Sequence, residues 1–148
     1  MWTTRPSSAV RPVTDPRSDD PSGVVFGPDG RLYVTSSRPA TGAPSDDIDK
    51  ILIFDGTTGK FVDEIGLDTP GATLRSAAPG LLFGPQGLLY VTITQLDASG
   101  TATGVGSVRR YNVASKQYHD LVLPQAYLAL PTLFTVGGTN PATLAYEK

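Results

Sequence analysis

The sequence predicts an all-β chain assembled from a repeated four-stranded antiparallel unit, and two observations predict it. Residues 26–34 read FGPDGRLYV, and 57 positions later residues 83–91 read FGPQGLLYV. Gly (16) and Pro (13) make up about a fifth of the 148 residues, against a usual share of roughly 12%. That balance favours a turn-rich β chain over a helical one, since helices require long runs free of both residues. The length suits one domain with a core of its own.

The match is wider than the phrase. Between Gly23–Thr35 and Gly80–Thr92, nine of thirteen positions are identical. The same offset pairs Ile51 with Val108, Phe54 with Tyr111, Asp55 with Asn112 and Phe61 with Tyr118. One offset running through about forty positions is a duplication.

Each copy spells four short strands. GVVF and RLYVTS flank Gly27-Pro28-Asp29-Gly30. There Pro presets φ at the second turn position and Gly accepts a positive φ at the fourth. KILIFD and KFVDEI flank GTTG, with Asp55 placed to bond its own turn and Gly59 at the left-handed position. The strands are therefore expected near 23–26, 31–36, 50–55 and 60–65, and in the second copy near 80–83, 88–94, 107–112 and 117–122. Alternation puts Ile51 and Ile53 on one face and Leu52 and Phe54 on the other, so both faces need covering. Arg109 and Arg110 replace Leu52 and Ile53 in the second copy, so that strand is expected to bury less and lie toward an outer rim. A third copy starts with LPTLFTV (130–136) and TLAYE (143–147).

Four strands recurring at a period of 40–57 residues is the pattern of a propeller blade. GVVFGPDGRLYVTSS followed by DKILIFDGTTGKFVDEIG resembles the NHL-repeat family of β-propellers and its streptogramin-lyase-like and gluconolactonase-like relatives. The resemblance covers roughly residues 21–123. It implies a partial β-propeller: blade one over 21–66, blade two over 79–123 and a half blade over 130–148. Family members commonly carry six blades around a channel. Residues 1–20, rich in Pro, Ser and Asp, are expected to be disordered.

Composition excludes several functions. A net charge of −2 and a pI near 5.2 argue against a nucleic-acid partner, which requires a basic face. No segment approaches the ~20 apolar residues of a membrane span, and the first twenty residues lack a signal peptide's apolar run. With no cysteine, disulfides and thiolate metal sites are impossible.

Asp46-Asp47-Ile48-Asp49 could offer oxygens to a hard cation, yet it lacks the bend glycine and distal Glu of a calcium loop. It reads as a solvated turn leading into the third strand. His119, the only histidine, has no Ser/Asp pair at recognisable spacing and reads as a half-buried strand residue at a rim. The streptogramin-lyase-like relatives imply histidine in the channel, and the gluconolactonase-like ones a divalent metal held by Glu, Asp and Asn. Ser22 and Pro79 occupy positions where a carboxylate would have fitted the latter pattern. FGPDG joins strand to strand, so no helix N-terminus follows to hold a phosphate. No metal ligand, catalytic residue or cofactor is assigned.

The connections between second and third strands, SRPATGAPSDD (37–47) and QLDASGTATG (95–104), should emerge on one face. Small polar loops on a rigid β scaffold are either solvated linkers or a recognition surface. The candidate ligand-binding residues are Arg38, Asp46, Asp47, Gln95 and Asp97, with Arg75 from the connection 66–79. The expected function is a non-enzymatic propeller scaffold or binding module, either as a piece of a larger propeller or as a chain whose open blade edges allow self-association. The alternative is a metal-dependent lactonase-like or lyase-like hydrolase completed by oligomerisation.

Overall fold

Two four-stranded antiparallel sheets, one per repeat, make up the described residues. The structure is a computed structural model that describes residues 15–39, 47–68 and 71–125. The first sheet runs β1 (Val24–Phe26), β2 (Arg31–Ser36), β3 (Lys50–Asp55) and β4 (Phe61–Gly66), in that spatial order. The second runs β5 (Arg75–Phe83), β6 (Leu89–Leu96), β7 (Ala102–Asn112) and β8 (Gln117–Gln125), also in sequence order. The chain is thus all-β with four-stranded units. The hairpin expected over 130–148 lies outside the described residues.

The turns form as their residues require. Gly30 adopts φ 76° and its N–H donates to the Gly27 carbonyl at 3.0 Å. The Asp55 carboxylate accepts from the Thr58 N–H (2.7 Å), the Thr58 hydroxyl (2.8 Å) and the Thr57 N–H (3.1 Å). These bonds hold its carboxyl below the usual range. Asn112 plays the same part for Ala114 and Ser115. In the second copy the first turn slips by one residue. Gln86 and Gly87 both take positive φ (63° and 68°), and the Leu88 N–H donates to the Pro85 carbonyl. In the first copy Asp29 bonds the Arg31 N–H and the Tyr33 hydroxyl. Gln86 makes no such pair.

All four strands of the second sheet are longer than the repeat implies, β8 by running on to Gln125. β5 begins at Arg75, five residues early, through a register shift between Ala77 and Gly80. Pro79 fits there because an edge strand at a bulge needs no N–H from it. β6 continues to Leu96 and β7 starts at Ala102, so the expected ten-residue loop contracts to 97–101.

Unlike faces meet where the sheets stack. Tyr33, Ile51, Ile53 and Ile65 of the first sheet pack against Leu89, Val91, Ile93 and Tyr111 of the second. Each fully buried side chain of this size contributes roughly 1.5–3 kcal/mol. By the 57-residue offset, Leu89 and Val91 correspond to Leu32 and Val34, which lie on the other face of the first sheet, opposite Phe54 and Leu52. The front of one repeat therefore covers the back of the next. The Tyr33 and Phe83 rings meet edge to face across the joint, with centroids 4.9 Å apart. Leu52 and Phe54 are fully buried on the first sheet's other face. On that face Ser36 bonds the backbone of Arg17 and Asp19, and the Arg17 guanidinium lies 3.9 Å from the centroid of the Phe61 ring. Residues 15–20 of the Pro-rich N-terminal segment are thus tied to the sheet.

Candidate functional site

The β2–β3, β4–β5 and β6–β7 connections all leave the sheets at one end, because consecutive antiparallel strands alternate direction. Most of the sequence-derived candidates gather there. Asp49, just ahead of β3, is fully buried rather than solvated as the turn reading expected. The reason is Arg75, at the start of β5 in the other sheet and only 2% exposed. Its Nε donates to Asp49 Oδ2 at 2.9 Å and its Nη2 to Asp49 Oδ1 at 2.7 Å, a two-pronged ion pair joining the repeats. The same Nη2 donates to the Arg38 carbonyl at 2.6 Å, and the Arg38 N–H donates to Asp49 Oδ1 at 2.9 Å. The Asp49 carboxylate raises the Arg75 guanidinium pKa.

Asp47 and Asp68 extend the cluster. Asp47 accepts from Lys50 Nζ and from its neighbour Ile48 N–H, while its carbonyl takes Arg38 Nη1 at 3.1 Å. Asp68 Oδ1 accepts the Asp49 N–H at 3.0 Å, and Asp68 Oδ2 is buried without a partner among the described residues. Burial pushes the Asp68 carboxyl up to about 6, with the Asp49 charge adding to the rise. Arg38, Asp47 and Arg75 are thus brought together with Asp49, which the sequence placed in a solvated turn, and with Asp68, which it did not single out. Asp46 lies outside the described residues.

Gln95 and Asp97 sit on the second sheet at the same end. Gln95 is the β6 residue facing Ser76, one position from the Arg75–Leu96 pair, and accepts the Thr103 hydroxyl. Asp97 closes its own turn, accepting from the Ser99 hydroxyl (2.6 Å), the Ser99 N–H and the Thr101 N–H (2.9 Å each). Those bonds hold its carboxyl below the usual range.

Arg109 is the further residue the sequence underplayed. It occupies the position of Leu52, and its side chain is only 14% exposed. Its Nη1 donates to the Leu67 carbonyl at 2.8 Å across the joint, while the guanidinium carbon lies 4.5 Å from the Tyr118 ring centroid. Its Nε is buried without a hydrogen bond among the described residues, 3.8 Å from Asp120. A cleft of about 30 Å³ between Arg109, Ser76, Gln95 and Ser107 has room for one water. Arg109 thus enters the joint, where a position of low burial was expected. His119 is exposed on β8 opposite Arg110, not half-buried. No group of His, Cys, Asp and Glu with metal-holding geometry occurs among the described residues.

No known family model matches the chain, and no curated protein is similar to it.

Proposed function

We propose that this chain is part of an NHL-repeat-type β-propeller and acts as a non-enzymatic scaffold or binding module, with its binding face at the end that carries Arg38, Asp47, Arg75 and Gln95. The observation that carries the reading is the front-to-back stacking of two repeats. A stack of this kind extends by adding the same unit, which is how propeller blades are built.

The Arg75–Asp49 pair supports the second half of the proposal. It locks the loop bases of two neighbouring repeats together, and rigid loop bases suit recognition. Arg38, Asp47, Asp49, Lys50 and Arg75 at this end are engaged with one another in positioning roles, not set as nucleophile and base. The test is an assay of the purified chain against a panel of sugar lactones, with and without a chelator. No turnover above buffer is expected. Turnover abolished by chelation would replace the scaffold with a metal-dependent lactonase.

A further inference from the structure

The stacked joint contains a knob and a notch, and each repeat carries both. The knob is Phe83. The notch is Gly27 with Tyr33, and it exists because Gly27 has no side chain: a Cβ there would stand 2.8 Å from Tyr33 Cε2 and 3.0 Å from Phe83 Cε2. The offset of 57 maps Phe83 onto Phe26, Gly27 onto Gly84 and Tyr33 onto Tyr90.

The second notch has the same shape. A Cβ on Gly84 would stand 2.4 Å from Tyr90 Cε2, so Tyr90 lies over the glycine as Tyr33 does. Among the described residues, no aromatic ring stacks on Tyr90. The second knob is exposed: Phe26 is 63% and its face-mate Val24 64% exposed. Residues 15–20 cover this face at Ser36 and Phe61 and leave the β1 strip open. Two large apolar side chains side by side on an edge strand are a surface that proteins normally cover.

We propose that copies of this chain join head to tail, the Phe26 ring of one copy entering the Gly84–Tyr90 notch of the next as Phe83 enters the Gly27–Tyr33 notch within the chain. This rests on the repeat stacking read above and names the surface through which the stack continues. The occupant is a second copy because the chain's own joint is the template: Val24 and Phe26 match Leu81 and Phe83, while Leu82 and Tyr90 match Val25 and Tyr33. All four template residues belong to the apolar joint. The contact is heterologous, using two different patches, so the assembly either closes into a ring or extends.

The test uses the full chain, which has no native cysteine. Light scattering over a concentration series is expected to give a mass above the monomer. Phe26→Ala removes an already exposed side chain, so the variant folds, and its self-association weakens at least tenfold. Val24→Cys and Leu82→Cys proteins, mixed and treated with a short bismaleimide, are expected to cross-link to each other and not to themselves. Three results would overturn the proposal: a monomer at every concentration, including one whose notch is filled by a segment of the same chain; unchanged association in Phe26→Ala; or Val24-to-Val24 cross-links, which mark a two-fold contact. A Tyr33/Phe83 double-mutant cycle separates this failure from failure of the repeat reading. Coupling in a monomer leaves the internal stack standing, and no coupling removes both.

Discussion

Replacing Arg75 by Met leaves Asp49 fully buried and deprived of its counter-charge. Two charge-assisted hydrogen bonds disappear, and the Arg38 carbonyl loses its 2.6 Å donor. Among the described residues the Asp49 carboxylate then keeps the Arg38 N–H alone, while the Asp49 backbone keeps its bonds to Asp68 and Leu67. Breaking a buried pair from one side costs roughly 3–5 kcal/mol. That is a large share of the ~5–15 kcal/mol that stabilises a typical domain. Arg75→Met is therefore expected to lower the unfolding free energy by about 4 kcal/mol. The assay is urea denaturation followed by far-ultraviolet circular dichroism, with the midpoint falling and the slope unchanged. Adding Asp49→Asn removes the stranded charge yet keeps an oxygen for the Arg38 N–H. The double variant should recover about 2 kcal/mol relative to Arg75→Met alone. A single variant within ~1 kcal/mol of the parent, or a double variant with no recovery, would refute the claim that this pair holds the two repeats together.

Asp68→Asn is expected to flatten part of the pH dependence of stability. The folded protein holds the Asp68 proton more tightly than the unfolded chain, so this group's contribution is greatest at low pH. It declines as pH rises from about 3.8 to about 6. Discounted for solvent screening, the decline is on the order of 1 kcal/mol, and urea midpoints at pH 4 and pH 7 should reveal its loss in the variant. Gly56→Ala would place a Cβ 2.0 Å from the Gly30 carbonyl oxygen, a backbone atom with little freedom to move. A loss of roughly 1–3 kcal/mol is expected by thermal denaturation. Gly30→Ala meets no neighbouring atom, but its φ of 76° leaves a strain of roughly 1–2 kcal/mol. Lys116→Ala removes an ion pair with Asp63 whose partners are both more than 40% exposed. It should cost less than ~1 kcal/mol, and less still in high salt.

Most strand positions were legible because Gly-Pro turns and a 57-residue echo mark both ends of each run. β2 and β3 match their expected ranges, and β4 begins one residue late. The early start of β5 and β7 was not legible. Arg75–Pro79 and Ala102–Gly106 are mixed small and polar segments without alternation, and their pairing depends on neighbours already in place. The polar cluster was half legible. The loop positions of Arg38, Asp47 and Arg75 drew notice, but the Asp49–Arg75 pair spans 26 residues and two sheets. No local pattern encodes such a contact. Arg109 did carry a signal, a charge where the first repeat has Leu52. An apolar position held by an Arg is as consistent with a buried, bonded guanidinium as with an exposed rim.

One repeat's front stacks on the next repeat's back, and a double-mutant cycle on Tyr33 and Phe83 tests this stacking most directly. Each residue is replaced by Leu singly and together, and unfolding free energies are taken from urea titrations. The edge-to-face geometry at 4.9 Å predicts a coupling of roughly 0.5–1.5 kcal/mol. Additive losses, with no coupling between the two rings, would show that the sheets do not meet through these faces.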